Sequence, residues 1–232
     1  MRVTVKICGL TTPADARAAV AAGADLVGFV FDPASRRCVG PSAAWIRGVE
    51  GAARVGVFRN LGVEAVARAR EEAKLDLVQL HGDEPPEACA ALGGPARVIK
   101  AVAVSGAVDW AGVACYARVA RILFDTASAS GGGTGRTFDW DVLAGAPADL
   151  AFWLAGGLDP ENVAEAVERA RPAGVDVASG VEAAVGRKDA AKMRAFVAAA
   201  RGAGSDPTAG LPAGEGGTVR RAGHGGDDEA GT

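Results

Sequence analysis

The chain has 232 residues, 49% of them apolar, and a formal charge of −3, so it has the length of one large domain or two small ones and enough apolar content for an ordinary core. Setting aside the stretch from Gly202 onward leaves 23 acidic and 23 basic residues, a balance without the basic face that nucleic acid would need. No apolar run is long enough to span a bilayer and no secretory leader is recognisable, so the expectation is a cytoplasmic protein with neither membrane nor nucleic acid as partner.

Strand-like and helix-like runs alternate from the start. The first strand is expected at residues 3–8, with a helix at 13–22 opened by Thr12-Pro13. Further strands are expected at 25–31, 54–59, 76–81, 97–103, 119–125, 151–155 and 174–178. The helices between and after them fall at 42–50, behind Pro41-Ser42, then 62–74, 85–93, 108–117, 139–146, 160–171, behind Asp159-Pro160, and 188–201. Eight βα units predict an α/β fold with a parallel sheet, and eight is the number that closes it. The expected architecture is a closed parallel (β/α)8 TIM barrel forming one catalytic domain over residues 1–201, with a doubly wound open sheet as the alternative. Ten of the 33 glycines lie from Gly202 onward with almost no large apolar side chain, which predicts a disordered C-terminal tail over 202–232.

Alternation within the strands predicts what faces the barrel axis. Val3, Val5 and Ile7 should face the helices, and Thr4, Lys6 and Cys8 the interior. By the same rule Gln79, His81, Leu123, Asp125 and Asp176 point inward, whereas Val78, Leu80, Ile122, Phe124, Val175 and Val177 point outward. Cys8, His81 and Asp125 close their strands, which places them at the catalytic mouth. Lys6 and Asp176 lie a layer deeper on neighbouring strands, where an ion pair is expected.

Histidine is the most restrictive residue type. There are two, and His224 is in the tail, so only His81 serves the fold. A zinc site built from several histidines is excluded, and the four cysteines (Cys8, Cys38, Cys89, Cys115) are scattered with no CxxC pair, as for free thiols. No metal is expected, and acid–base chemistry must rest on carboxylates, thiols or amines.

Three glycine-rich turns follow late strands: Gly132-Gly133-Thr134-Gly135, Gly156-Gly157 and Ser179-Gly180. Glycine after a strand lets backbone N–H groups approach an anion, and in a (β/α)8 barrel the last two such turns form the usual phosphate cup. The expected partner is therefore a phosphorylated small molecule. Cys8 is either a small buried apolar residue or a base, provided its thiol pKa is lowered by Lys6 or by a substrate cation. Asp125 is a turn cap or an acid; Arg37 is a solvated cation or a bidentate clamp for a carboxylate; His81 is a packed side chain or part of the mouth lining.

Val5-Lys6-Ile7-Cys8-Gly9, Gln79-Leu80-His81-Gly82, Phe124-Asp125-Thr126, the Gly132–Gly135 turn, Leu154-Ala155-Gly156-Gly157 and Asp176-Val177-Ala178-Ser179-Gly180-Val181-Glu182, in this order and spacing, resemble the phosphoribosylanthranilate isomerase family. The likeness runs from about Val3 to Arg201. It implies an aldose–ketose isomerase of tryptophan biosynthesis, acting by Amadori rearrangement without a cofactor. The roles it implies are Asp125 as general acid, Cys8 as general base and Arg37 as the holder of the anthranilate carboxylate. Gly133, Gly156, Gly157, Ser179 and Gly180 would form the phosphate cup, with His81 beside the substrate. Members of the family occur as monomers and homodimers. Two positions depart from the family pattern, Cys38 and Ala178, and the Ala127–Ser130 stretch suggests a loop that orders on substrate. A histidine-pathway aminoaldose isomerase resembles a two-aspartate arrangement, against which Cys8 speaks. Indole-3-glycerol phosphate synthase needs lysine and glutamate groups at the mouth that are not identifiable in this sequence, and a catalytically silent phosphosugar-binding barrel would not need both Cys8 and Asp125.

Overall fold

β-Branched and aromatic residues concentrate in eight short runs, and all eight are strands. In the computed structural model, which describes residues 2–40, 43–127 and 137–203, these are β1 (Thr4–Ile7), β2 (Leu26–Val30), β3 (Ala53–Phe58), β4 (Leu77–Leu80), β5 (Val98–Val104), β6 (Arg121–Thr126), β7 (Phe152–Leu154) and β8 (Gly174–Val177). Each pairs in parallel with its successor, and β8 closes onto β1 with Lys6 opposite Asp176. The closed barrel is thus the fold, and the open sheet is set aside. The expectations for Pro41, Ser42, the Gly132–Gly135 turn and most of the 202–232 tail lie outside the described residues.

Among the described residues, six α-helices surround the barrel: α1 (Pro13–Ala21), α2 (Val63–Ala73), α3 (Pro86–Ala91), α4 (Trp110–Ala117), α5 (Val163–Ala170) and α6 (Ala190–Ala203). The first is started as the sequence suggests. Thr12 Oγ1 accepts from the Asp15 N–H at 3.1 Å and Pro13 opens the first turn, a cap worth about 1 kcal/mol.

Two expected helices are instead short 3₁₀ segments, Ala43–Gly48 and Trp140–Gly145. Each is six residues, about two 3₁₀ turns, with glycine or proline at or just beyond its C-terminal end. Their apolar residues still serve the shell: Trp45 meets Phe29 edge-on with ring centroids 5.4 Å apart. The helix expected at 160–171 begins only at Val163. Asp159 Oδ1 accepts from the N–H groups of Glu161 and Asn162, and this local turn replaces the first helical turn. The helix expected at 188–201 begins at Ala190, because the chain after β8 first makes a 3₁₀ turn (Ser179–Val181) and a small antiparallel hairpin, β9 (Glu182–Ala184) with β10 (Arg187–Lys188).

The alternation rule holds along the barrel. Val3, Val5, Ile7, Val78, Leu80, Ile122, Phe124, Val175 and Val177 belong to the outer apolar shell between strands and helices. A separate inner cluster of Leu26, Val55, Leu77, Ile99, Ala101, Leu123, Trp153 and Ala155 fills the axis. The interior is therefore a packed plug, and polar groups are confined to its upper layers, which open on the C-terminal ends of the strands.

Candidate active site

The mouth of the barrel holds a cavity of about 310 Å³. Cys8, at the end of β1, and Asp125, in β6, both border it, 7% and 8% exposed respectively. Cys8 is fixed through its backbone, which donates to the Val177 carbonyl at 2.8 Å. Directly below, Lys6 Nζ donates to Asp176 Oδ2 at 2.7 Å, so the expected ion pair is formed.

Opposite stands a hydrogen-bonded chain. Gln79 Nε2 lies 3.0 Å from His81 Nδ1, and His81 Nε2 lies 3.1 Å from Asp125 Oδ2. An amide nitrogen can only donate, so Nδ1 accepts and the imidazole proton sits on Nε2, aimed at the carboxylate; this tautomer is assigned from the hydrogen-bond pattern. Gln79 Oε1 is buried without a hydrogen-bond partner.

Arg37 comes from the loop after β2. It lies over Gly9, whose φ of +72° and missing side chain make room: a Cβ there would stand 2.6 Å from Arg37 Cδ. Arg37 Nε and Nη2 donate to Glu182 Oε1 and Oε2 at 2.7 and 2.8 Å. The side-on edge of the guanidinium is therefore committed to an internal carboxylate. Among the described residues nothing takes the end-on pair, Nη1 with the second Nη2 hydrogen.

Glu182 also accepts from Lys188 Nζ at 3.2 Å. Burial pushes its carboxyl upward, but the hydrogen bonds from Arg37 and the charges of Lys188 and Arg37 outweigh burial and hold it below the usual range. The hairpin that carries these groups is tied to the loop after β1 by Thr11 Oγ1, which donates to the Gly186 carbonyl at 2.6 Å. Among the described residues, no cluster of three or more His, Cys, Asp or Glu side chains is placed to hold a metal ion.

A family model described as N-(5'-phosphoribosyl)anthranilate (PRA) isomerase matches residues 5–199. The chain belongs to the phosphoribosylanthranilate isomerase family. It is 46% identical over 210 residues to the N-(5'-phosphoribosyl)anthranilate isomerase of Pelobacter propionicus, covering 89% of this chain and 99% of the relative. A 49% identical relative of the same description comes from Geobacter sulfurreducens, covering 86% of this chain and 99% of the relative. Among solved structures, the phosphoribosyl anthranilate isomerase of Thermotoga maritima superposes with a TM-score of 0.78 at 40% identity, over 86% of this chain and 99% of that one. Another isomerase structure, in complex with reduced 1-(o-carboxyphenylamino)-1-deoxyribulose 5-phosphate, superposes with a TM-score of 0.76 at 39% identity, over 86% of this chain and 99% of that one.

Within this isomerase barrel, Cys8, Arg37, His81, Asp125, Gly156, Gly157 and Ser179 all line the one cavity. Gly180 stands behind it: a Cβ there would lie 2.0 Å from the Leu158 carbonyl oxygen, so its role is to let the turn after β8 abut the turn after β7. Gly133 lies outside the described residues. Two glutamates with site-building roles had no signal in the sequence. Glu182 stands within a family stretch, but its hold on Arg37 spans 145 positions and no periodicity. Glu84, 6% exposed, ties the loops after β3 and β4 by accepting from the Asn60 and Gly82 N–H groups at 2.7 and 2.9 Å, and pairs with the buried Lys100 at 3.3 Å.

Proposed function

We infer that this chain is the isomerase that converts N-(5-phosphoribosyl)anthranilate to 1-(2-carboxyphenylamino)-1-deoxyribulose 5-phosphate in tryptophan biosynthesis, by an Amadori rearrangement at the mouth described above. The observation that carries the reading is that a thiol on β1 and a carboxyl on β6 border one sugar-sized cavity, beside the glycine turns after β7 and β8. The complex of a similar isomerase with reduced 1-(o-carboxyphenylamino)-1-deoxyribulose 5-phosphate supports the same substrate.

Asp125, in its protonated form, gives a proton to the ribose ring oxygen as the C1–O bond breaks, and the anthranilate nitrogen becomes an iminium. Cys8 as thiolate takes the C2 proton, and the electron pair of that bond moves toward the iminium to give an enolamine. Protonation at C1 and loss of the hydroxyl proton at C2 then yield the aminoketone. The substrate supplies its own electron sink, so no cofactor is required. The end-on pair of Arg37 binds the anthranilate carboxylate, a charge-assisted contact. The backbone and side chain of the Gly156-Gly157 and Ser179-Gly180 turns, with Gly133, receive the phosphate. His81 lies against the substrate and shares a proton with Asp125.

Burial raises the Cys8 thiol pKa above its ordinary value in the empty site, the nearby Lys6 opposing it. The substrate iminium, forming within the same cavity, pulls it back down, so the base is generated where the acidified C–H appears. The enzyme is a monomer or homodimer of the cytoplasm, with residues 1–201 as its catalytic domain. Incubating the purified protein with N-(5-phosphoribosyl)anthranilate, without added metal, tests the reading. The product, of unchanged mass, should appear by chromatography, and a folded protein that leaves the substrate intact would refute it.

A further inference from the structure

We propose that Lys6, buried beneath Cys8 and clasped by Asp176, is the positioning residue that makes the Cys8 thiol available as a base. The proposal rests on the assignment of Cys8 as the proton acceptor in the preceding section, and deepens it.

Lys6 is fully buried, so it reaches no substrate. Its ammonium is paired with one oxygen of Asp176 at 2.7 Å, in the layer directly under Cys8, and register opposes the two residues across the β1–β8 seam. A buried ion pair is a poor source of stability, since an apolar pair of similar volume commonly does as well or better. Its use must be sought in what lies next to it.

Gly28 on β2 identifies that neighbour. A Cβ at Gly28 would stand 2.7 Å from Cys8 Sγ and 3.1 Å from Lys6 Nζ, so sulfur and ammonium border the same small gap. Asp176 spends one carboxylate oxygen on Lys6, and its other oxygen is buried without a hydrogen-bond partner.

The charges around the thiol act in a definite order. Burial pushes Cys8 up; Lys6 is the strongest pull downward, Asp176 pushes up, and Lys188 adds a weaker pull. Arg37 at the rim, Asp125 with His81 across the cavity, and Asp32, Arg36 and Arg59 complete the titratable and charged groups that line the cavity with the sulfur. Burial is the strongest influence on Lys6 and pushes it down, but the charges of Asp176 and Cys8 and the hydrogen bonds to both together outweigh it, and the amine stays an ammonium. Asp176 thus keeps Lys6 charged, and Lys6 offsets the loss of hydration that a thiolate suffers in this site. When the C2–H bond breaks, its proton goes to sulfur and its electron pair to the iminium, while Lys6 keeps its own protons throughout.

The test is the alkylation rate of Cys8 by iodoacetamide as a function of pH, resolved from Cys38, Cys89 and Cys115 by peptide mass spectrometry. It is run on the wild type, Lys6→Met and the double variant Lys6→Met/Asp176→Leu, which removes both buried charges and so guards against misfolding of the single variant. At pH 8 Cys8 should react about tenfold more slowly, or slower still, in folded Lys6→Met, the effect of removing a neighbouring opposite charge, and should be slowed less in the double variant, which also removes the opposing push of Asp176. The exposed Cys115 should react at an unchanged rate. The kcat of Lys6→Met should fall with the Cys8 rate while KM moves little, a split that a purely structural role would not give. A Cys8 rate within twofold of wild type in folded Lys6→Met, or no slowing at all in the double variant where only that one folds, would overturn the proposal. Failure of the underlying assignment looks different: Cys8→Ser would retain turnover, whatever the alkylation rates show.

Discussion

The two walls of the mouth are built on different physics. On the β8–β1–β2 side, Cys8 stands among three cations, Lys6, Lys188 and Arg37, each held by a carboxylate of Asp176 or Glu182. On the β4–β6 side, Asp125 is joined to His81, and His81 to Gln79, in a chain of an imidazole and an amide. Nearby positive charge favours the anion of a thiol, and Lys6 pulls that way on Cys8 against burial; Asp125 meets an imidazole N–H instead of a lysine or arginine. Each wall is also braced by one buried glutamate. Glu182 grips a side chain that lines the cavity, Arg37, whereas Glu84 grips the backbone of the loop that carries His81.

The sharpest way to break this contrast is to remove its two poles. Cys8→Ser and Asp125→Asn should each lower kcat by about a hundred- to ten-thousandfold, the usual worth of a positioned base or acid. Near-normal turnover in steady-state assays of either variant would strip that wall of its role. Arg37→Ala should raise KM about tenfold or more with a smaller change in kcat, as expected for losing a charge-assisted contact to a carboxylate. Glu182→Gln should give a weaker version of the same split, because the guanidinium keeps one acceptor but loses its ionic anchor. If KM in both variants equals that of the wild type, the carboxylate is held elsewhere.

Acid should separate the walls by a few degrees in melting temperature. The Glu182 carboxyl titrates below its unfolded value, so its contribution to stability is present above the ordinary carboxylate pKa of about 4.3 and is lost as pH falls through the lower folded value. The drop in Tm between pH 7 and pH 3 should therefore be smaller in Glu182→Gln than in wild type, and an equal drop would show that this anchor is not tuned as described. The smallest effect is expected at the far end of the chain. α6 already buries Met193, Phe196, Val197 and Ala200, so ending the chain after Ala203 should move Tm by less than about 2 °C. A large loss would extend the folded domain beyond residue 201.

Much of this was legible because a closed barrel ties position to period. Once eight strands are counted, alternation decides that Lys6, Gln79, Asp125 and Asp176 face the axis, and closure decides that residue 6 meets residue 176. Loops obey no such rule. Arg37 reaches from a loop to Glu182 on the hairpin outside the barrel, and Asn60, Gly82 and Glu84 of two loops meet around Lys100 of β5, so these meetings follow from tertiary packing alone. At Ala43–Gly48 and Trp140–Gly145 the apolar spacing predicts a helix, and that spacing does not distinguish α from 3₁₀ turns over six residues.

The seam between β1 and β8 joins the earliest strand to the latest. A ribosome that has delivered Lys6 must add 170 further residues before Asp176 arrives to neutralise it. An unfinished or prematurely terminated polypeptide therefore carries a stranded ammonium and an unanchored sulfur at its open edge. The ion pair beneath Cys8 is in this way a mark of ring completion, formed only when the last strand takes its place beside the first.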